Sequence, residues 1–229
     1  MKIHQHPSPN FGERRRGEIP DLIVIHYTAM ATADEAIARL CDPECEVSAH
    51  YLISAHGDIT QLVAEERRAW HAGAGAWGAC TDVNSRSVGI ELANDGSSPF
   101  SARQMDALEG LLAEIMGCWS IPPERVIGHS DMAPARKFDP GQRFDWRRLA
   151  LNGLSVWSEN GSAQATDIAQ FTEDAQSFGY CATGEFETFL SAFRQRFRPW
   201  ADGPLDATDM SLISDLAKRF PVDQPPLNT

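Results

Sequence analysis

Apolar residues along this chain recur at two spacings. "DLIVIHY" (21–27) is a β-branched apolar run after Pro20, and it predicts a buried strand. "SVGIELAN" (87–94) predicts another, ending in the polar "NDGSSP", and "RVIG" predicts a short third. "SAHYLIS" and "ITQLVA" flank the turn-like "AHGD" and predict a hairpin. Thr32 and Glu35 have capping-box spacing, so a helix is expected from there towards Leu40. Ser101 and Gln104 form a second such pair. After it Met105, Leu108, Leu112, Ile115 and Met116 recur with helical period until Pro122–Pro123. "FDWRRLALNG" predicts a closing helix with Gly153 beyond its end. Strands and helices thus alternate through about residue 152, which predicts an α/β unit with a mostly buried sheet.

Beyond it the pattern changes. "SENGSAQAT" (158–166) is polar and turn-rich and reads as a linker. Three amphipathic faces follow: Ile168, Phe171, Ala175 and Phe178; then Phe186, Phe189, Leu190, Phe193 and Phe197; then Met210, Leu212, Ile213 and Leu216. A small three-helix unit that closes its own core would bury all three. The expected division is a first domain over 1–157, a linker over 158–166 and a helical domain over 167–229.

The 229 residues carry a formal net charge of -12, with 42% hydrophobic and 23% charged residues. That balance suits a globular protein and argues against binding nucleic-acid phosphates or docking on anionic membranes. No apolar run is long enough to span a bilayer. The first 16 residues, "MKIHQHPSPNFGERRR", show no apolar segment of a secretion signal, so a cytoplasmic location is expected, with the periplasm or outer membrane as the alternative. The cysteines at 41, 45, 80, 118 and 181 are odd in number and irregularly spaced, which is no disulfide framework. A monomer is expected.

Candidate chemistry gathers around "VIGHSDMAPARKFDPG" (126–141). His26 closes one strand, His129 follows another, and Asp139 lies on the loop after it. Two histidines and a carboxylate suit zinc, leaving a fourth position for water, whose pKa such a metal lowers to about 7. Glu91 sits amid the apolar "VGIELA", where a carboxylate is costly unless used or paired, and it is the candidate general base. Lys137 supplies a cation for an oxyanion. Each residue also has an ordinary reading. His26 could be a packing histidine, Asp139 before Pro140 a turn initiator, Glu91 an edge-strand carboxylate and Lys137 a surface lysine.

The five stretches "LIVIHYTA", "VSAHYLI", "AWHAG", "SVGIELAN" and "GHSDMAPARKFDPG", in this order, resemble the zinc-dependent N-acetylmuramoyl-L-alanine amidases of type 2, whose fold peptidoglycan recognition proteins share. "SPNFGERR" (8–15) is similar to the AmiD/AmpD-like branch. The resemblance covers about residues 8–152. It implies a mixed central β-sheet flanked by helices, and zinc ligands at His26, His129 and Asp139. It also implies a catalytic glutamate at Glu91, an oxyanion-stabilising lysine at Lys137, and hydrolysis of the amide between N-acetylmuramic acid and L-alanine. His71 in "AWHAG" matches a motif lining the family's substrate cleft and is expected to contact substrate. Asn94, which follows the Glu91 strand, is a candidate substrate contact through donation to a sugar or peptide carbonyl, with a turn role as its equal alternative. His50 is expected to organise buried strands. The last helices resemble, more loosely, a small peptidoglycan-binding module. The rival reading is a muropeptide binder without catalysis on the same fold.

Overall fold

The computed structural model of the chain describes residues 2–159, 165–181 and 185–223. Most of the expected linker, residues 160–164, therefore lies outside the described residues. The strands are β1 (Ile3–Gln5), β2 (Phe11–Glu13), β3 (Leu22–Tyr27), β4 (Tyr51–Ile53), β5 (Ile59–Gln61), β6 (Arg67–Ala69), β7 (Ser87–Leu92) and β8 (Val126–Gly128). The helices are α1 (Ala33–Cys41), α2 (Val83–Arg86), α3 (Ala102–Trp119), α4 (His129–Met132), α5 (Trp146–Leu151), α6 (Ile168–Phe178), α7 (Phe186–Phe197) and α8 (Ala207–Arg219).

Six strands form one mixed sheet in the order β1-β5-β4-β7-β3-β8; β4 and β5 are the antiparallel hairpin and the remaining pairs are parallel. β2 and β6 pair apart from it as a two-stranded ribbon. These two strands, β1 and the short α2 and α4 escape the periodicity, because three or four residues are too few to show one. His4, which looks like part of a solvated tail, pairs with Thr60 in β1–β5 while its side chain stays exposed. Ser101 and Thr32 cap their helices as their spacing predicts. Gln104, however, turns inward and donates to Ile53 O and Ala93 O, which ties α3 to the sheet.

Side chains alternate across a strand, so each face of β3 and β7 has its own company. Ile23, Ile25, Val88, Ile90 and Leu92 face α3 and α5 in one apolar cluster with Leu108, Leu112 and Trp146. Leu22 and Val24 face the other way, and with Ile127 they enter a second cluster that contains Phe171, Phe178, Phe193, Phe197, Ile213 and Leu216. The three C-terminal helices do not close a core of their own. They lie directly on the sheet, because apolar strand residues remain uncovered on that face until α6–α8 arrive. The expected boundary near 157 falls inside this shared core.

Phe178 stands at the seam, its ring 5.4 Å from Trp77 and 5.9 Å from Phe197. Phe178→Ala is expected to destabilise the protein by about 3–5 kcal/mol. Calorimetry should show the whole chain still melting in one shifted transition. Two separate transitions would mean that the helices fold independently.

Candidate metal centre and active site

β3 and β7 are parallel and paired so that His26 lies opposite Glu91. Alternation puts both on the sheet face away from α3, at the carboxyl ends of the strands where open α/β sheets hold their ligands. β8, on the other side of β3, runs straight into α4, whose first residue is His129. The loop beyond folds back: Ser130 N donates to Asp139 O at 2.9 Å, and the Asp139–Pro140 peptide is cis. The result is a cluster of three buried groups. Asp139 Oδ2 is 2.9 Å from His26 Nδ1 and 3.0 Å from His129 Nδ1, and the two nitrogens are 2.9 Å apart. Their ligand atoms lie close enough to hold one metal ion.

The outer hydrogen bonds decide which nitrogen each histidine offers. Ser87 Oγ donates to the Val83 carbonyl at 2.6 Å, and a carbonyl can only accept. Ser87 Oγ therefore accepts from His71 Nε2 (3.1 Å), which leaves His71 Nδ1 bare to accept from His26 Nε2 (3.0 Å). His26 Nδ1 is then unprotonated and points at the cluster. His129 is set more simply, since its Nε2 donates to Ala72 O at 2.8 Å and Nδ1 is again left free. Adjacent residues 71 and 72 thus fix the tautomers of both histidines, an arrangement typical of metal-ligating imidazoles. Gly89 makes room for this, because a Cβ there would stand 2.4 Å from the His71 ring.

Electrostatics agree with a cation site. Burial, then the neighbouring His129, lowers the His26 pKa to about 4 against the pull of Asp139, so the imidazole is neutral at pH 7. Glu91 is pushed up to about 8, chiefly by burial and then by Asp139, with Lys137 opposing. Its Oε2 is buried and has no hydrogen-bond partner among the described residues. A nearby cation would favour the carboxylate. Two imidazoles with bare Nδ1 atoms, an anionic carboxylate and an unpartnered acceptor beside them fit a metal such as zinc.

His26, His71, Glu91, His129, Lys137 and Asp139 all border a cleft of about 370 Å³, whose rim includes the exposed Phe138. A larger depression of about 1040 Å³ lies among the C-terminal helices, but its buried Arg194 is already paired with Asp209. The Lys137 ammonium has no hydrogen bond or ion pair among the described residues, whereas Arg136 beside it donates to Ala72 O and Ala74 O. Both His71 nitrogens are taken by protein partners, so the ring serves His26 rather than reaching out with a free nitrogen. Asn94 closes a turn: its Oδ1 accepts from Gly96 N and its Nδ2 donates to Ser98 O. It is not among the residues bordering the cleft, so its placement fits the turn alternative rather than the substrate contact. His50 accepts from Gly89 N and donates to Arg67 O, joining strands as expected. The reading of the sequence missed Ser87, Arg14 and the Ala72 carbonyl. Arg14 is buried and donates to Glu65 O, Ser85 O and Ser87 O; the run "ERRR" gave no sign which arginine would turn inward.

The N-acetylmuramoyl-L-alanine amidase family model matches residues 16–142, more than half of the chain. The chain belongs to this family. The amidase is 36% identical over 234 residues to the N-acetylmuramoyl-L-alanine amidase AmiD of Escherichia coli, an alignment spanning 88% of this chain and 84% of that protein. It is 36% identical over 159 residues to the 1,6-anhydro-N-acetylmuramyl-L-alanine amidase AmpD of Haemophilus influenzae, over 62% of this chain and 86% of that one. Among solved structures it resembles E. coli AmiD in complex with the substrate anhydro-N-acetylmuramic acid-L-Ala-D-γ-Glu-L-Lys. That match has TM-score 0.81 and 32% identity, over 92% of this chain and 98% of the other. It also resembles AmpDh3 of Pseudomonas aeruginosa in complex with anhydromuramic pentapeptide, with TM-score 0.80 and 30% identity over 94% and 96% of the two chains. Coverage this broad takes in the C-terminal helices of the amidase as well as its sheet.

Replacing His71 by Ala should leave the fold intact and weaken divalent-metal affinity by about 10–100-fold, the usual effect of losing an outer-shell partner. Competition with a chromogenic chelator measures it. Unchanged affinity would remove His71 from the metal centre.

Proposed function

We propose that this amidase hydrolyses the amide between the lactyl group of N-acetylmuramic acid, in its ordinary or 1,6-anhydro form, and L-alanine, during cell-wall turnover or muropeptide recycling, and that it does so with zinc. One observation carries the reading: the His26–His129–Asp139 donor set lies in the same cleft as Glu91, the in-register neighbour of His26 on β7, and Lys137.

When bound, zinc supplies Lewis acidity and lowers the pKa of a water molecule to about 7. His26 Nδ1, His129 Nδ1 and Asp139 would hold it. Glu91 then works as a proton carrier: its carboxylate takes the proton from the attacking water and returns it to the leaving amine of L-alanine. A carboxyl biased upward by burial retains a proton more readily than a solvated one, which suits the second half of that task. The Lys137 ammonium, without a hydrogen bond or ion pair among the described residues, faces charge developing on the carbonyl oxygen. Loss of a metal ligand or of Glu91 would suit a muropeptide binder without catalysis; this chain keeps the whole set.

Catalysis belongs in this reading to residues 1–157. Residues 167–229, whose pattern is similar to a peptidoglycan-binding module, would extend the contact with glycan. Substrate is the partner, and the chain acts as a monomer. Among the described residues no helix is long and apolar enough to cross a membrane. All five cysteines are unpaired, which fits a reducing compartment, and we place the protein in the cytoplasm.

Three measurements test the reading. Purified protein should contain about one zinc per chain, and Asp139→Ala should lose it. Removing metal with a chelator should abolish release of the L-alanyl peptide, and added zinc should restore it. Glu91→Gln should keep metal and fold while hydrolysis of a muropeptide, followed by mass spectrometry, falls by about 10²–10⁴-fold. Activity within a few-fold of wild type would place the base elsewhere.

A further inference from the structure

The turn that carries His129 is held from outside the sheet. Asp131, two residues on, is fully buried, and its Oδ2 accepts from Gly128 N at 2.8 Å, which fixes the first turn of α4. The same oxygen accepts from Arg196 Nη1 of α7 at 2.7 Å, and Oδ1 accepts from the hydroxyl of Tyr180, just beyond α6, at 2.6 Å. Arg196 is only 2% exposed. Its Nη2 donates to Val126 O in β8 (3.1 Å) and to Ser155 Oγ (3.2 Å), and its guanidinium lies 4.4 Å from the centre of the Trp146 ring. The strand leading to His129 and the turn leaving it are therefore gripped by one side chain.

A second grip acts on the opposite side of the histidine. Ala72 O, which sets the tautomer of His129, opens the loop running to Cys80. That loop pairs with the segment after α6: Trp77 forms a bridge with Tyr180, and Gly78 N donates to Gly179 O at 2.7 Å. The fit is close, since a Cβ on Gly179 would stand 2.5 Å from the Trp77 ring. The loop also reaches α4 directly, through Ala76 N to Met132 O at 3.0 Å.

A fully buried ion pair is weak evidence of stabilisation, because desolvation offsets much of the attraction and an apolar filling often serves as well. What such a pair does enforce is position. We propose that the C-terminal helices form a clamp on the metal centre, with Arg196 and Tyr180 as positioning residues that hold His129 in place through Asp131 and through the 72–80 loop. This inference rests on the metal reading given above. It makes the helices part of the apparatus that binds the metal, whatever glycan they also contact.

Buried Arg194 offers a control. It pairs with Asp209 at 2.5 Å and donates to Gly203 O and Pro204 O within the same helical unit, and among the described residues it makes no hydrogen bond or ion pair with α4 or the 72–80 loop. Full-length Arg196→Met, Tyr180→Phe and Arg194→Met proteins would be compared by thermal unfolding in the metal-free state, zinc affinity by chelator competition, and the visible spectrum of the Co²⁺-loaded protein. Arg194→Met is expected to lower the melting temperature and leave zinc affinity and the Co²⁺ spectrum unchanged. Arg196→Met should weaken zinc binding by at least about tenfold and alter the spectrum. Tyr180→Phe, which keeps the ring and loses one hydrogen bond, should do so by a few-fold with little change in melting temperature. The clamp is overturned if folded Arg196→Met and Tyr180→Phe proteins bind zinc like wild type with an unaltered spectrum, or if Arg194→Met weakens zinc as much as Arg196→Met. Wild-type protein that takes up no zinc is a different result: it would sink the metal reading, and the clamp with it.

Discussion

The parallel pairing of β3 with β7 is the constraint from which the site follows. A shift of one residue between these strands would turn every side chain of one of them to the other face. His26 and Glu91 would then part, and Ile25 or Ile90 would take a polar position. The register is held by the apolar cluster under α3, which claims Ile23, Ile25, Val88, Ile90 and Leu92 and so forces the intervening residues upward. Hydrophobic burial on one face thereby determines where the chemistry stands on the other.

Much of this was legible in the sequence. The long strands 22–27 and 87–92 and the long helices announce themselves because their apolar residues recur often enough to fix a period. The candidate metal ligands His26, His129 and Asp139 are readable from residue type and family resemblance, and the structure brings those three together with Glu91 and Lys137 around one cleft. The hydrogen bonds behind these side chains leave no such mark. Ser87 acts through an oxygen that any strand serine possesses, and Ala72 through a backbone carbonyl that carries no sequence signal. The His71 motif points to the cleft that it borders, but which partners its nitrogens take depends on residues distant in the chain, His26 and Ser87.

The C-terminal helices show a different limit. Amphipathic periodicity reports that a face must be covered but not by what. Phe171, Phe178 and Phe193 satisfy a self-contained bundle on paper as well as they satisfy Leu22, Val24 and Ile127 of the sheet. Nor does a pattern of apolar positions reveal that Arg196, within an aromatic stripe, pairs with Asp131 in another part of the chain. Long-range charge pairing has no spacing to read.

Gly89 shows how far the demands of the cleft reach into residues without functional groups of their own. It lies mid-strand in the centre of the sheet, where glycine is a poor choice for strand stability. Alanine would suit the backbone better, yet its methyl would occupy the volume of the imidazole above it. Displacing that ring would free His26 to rotate or exchange tautomers. Substitution at this position is thus filtered by the arrangement of the histidine cluster two contacts away, and a screen for more stable variants that ignored that cluster would select the wrong residue here.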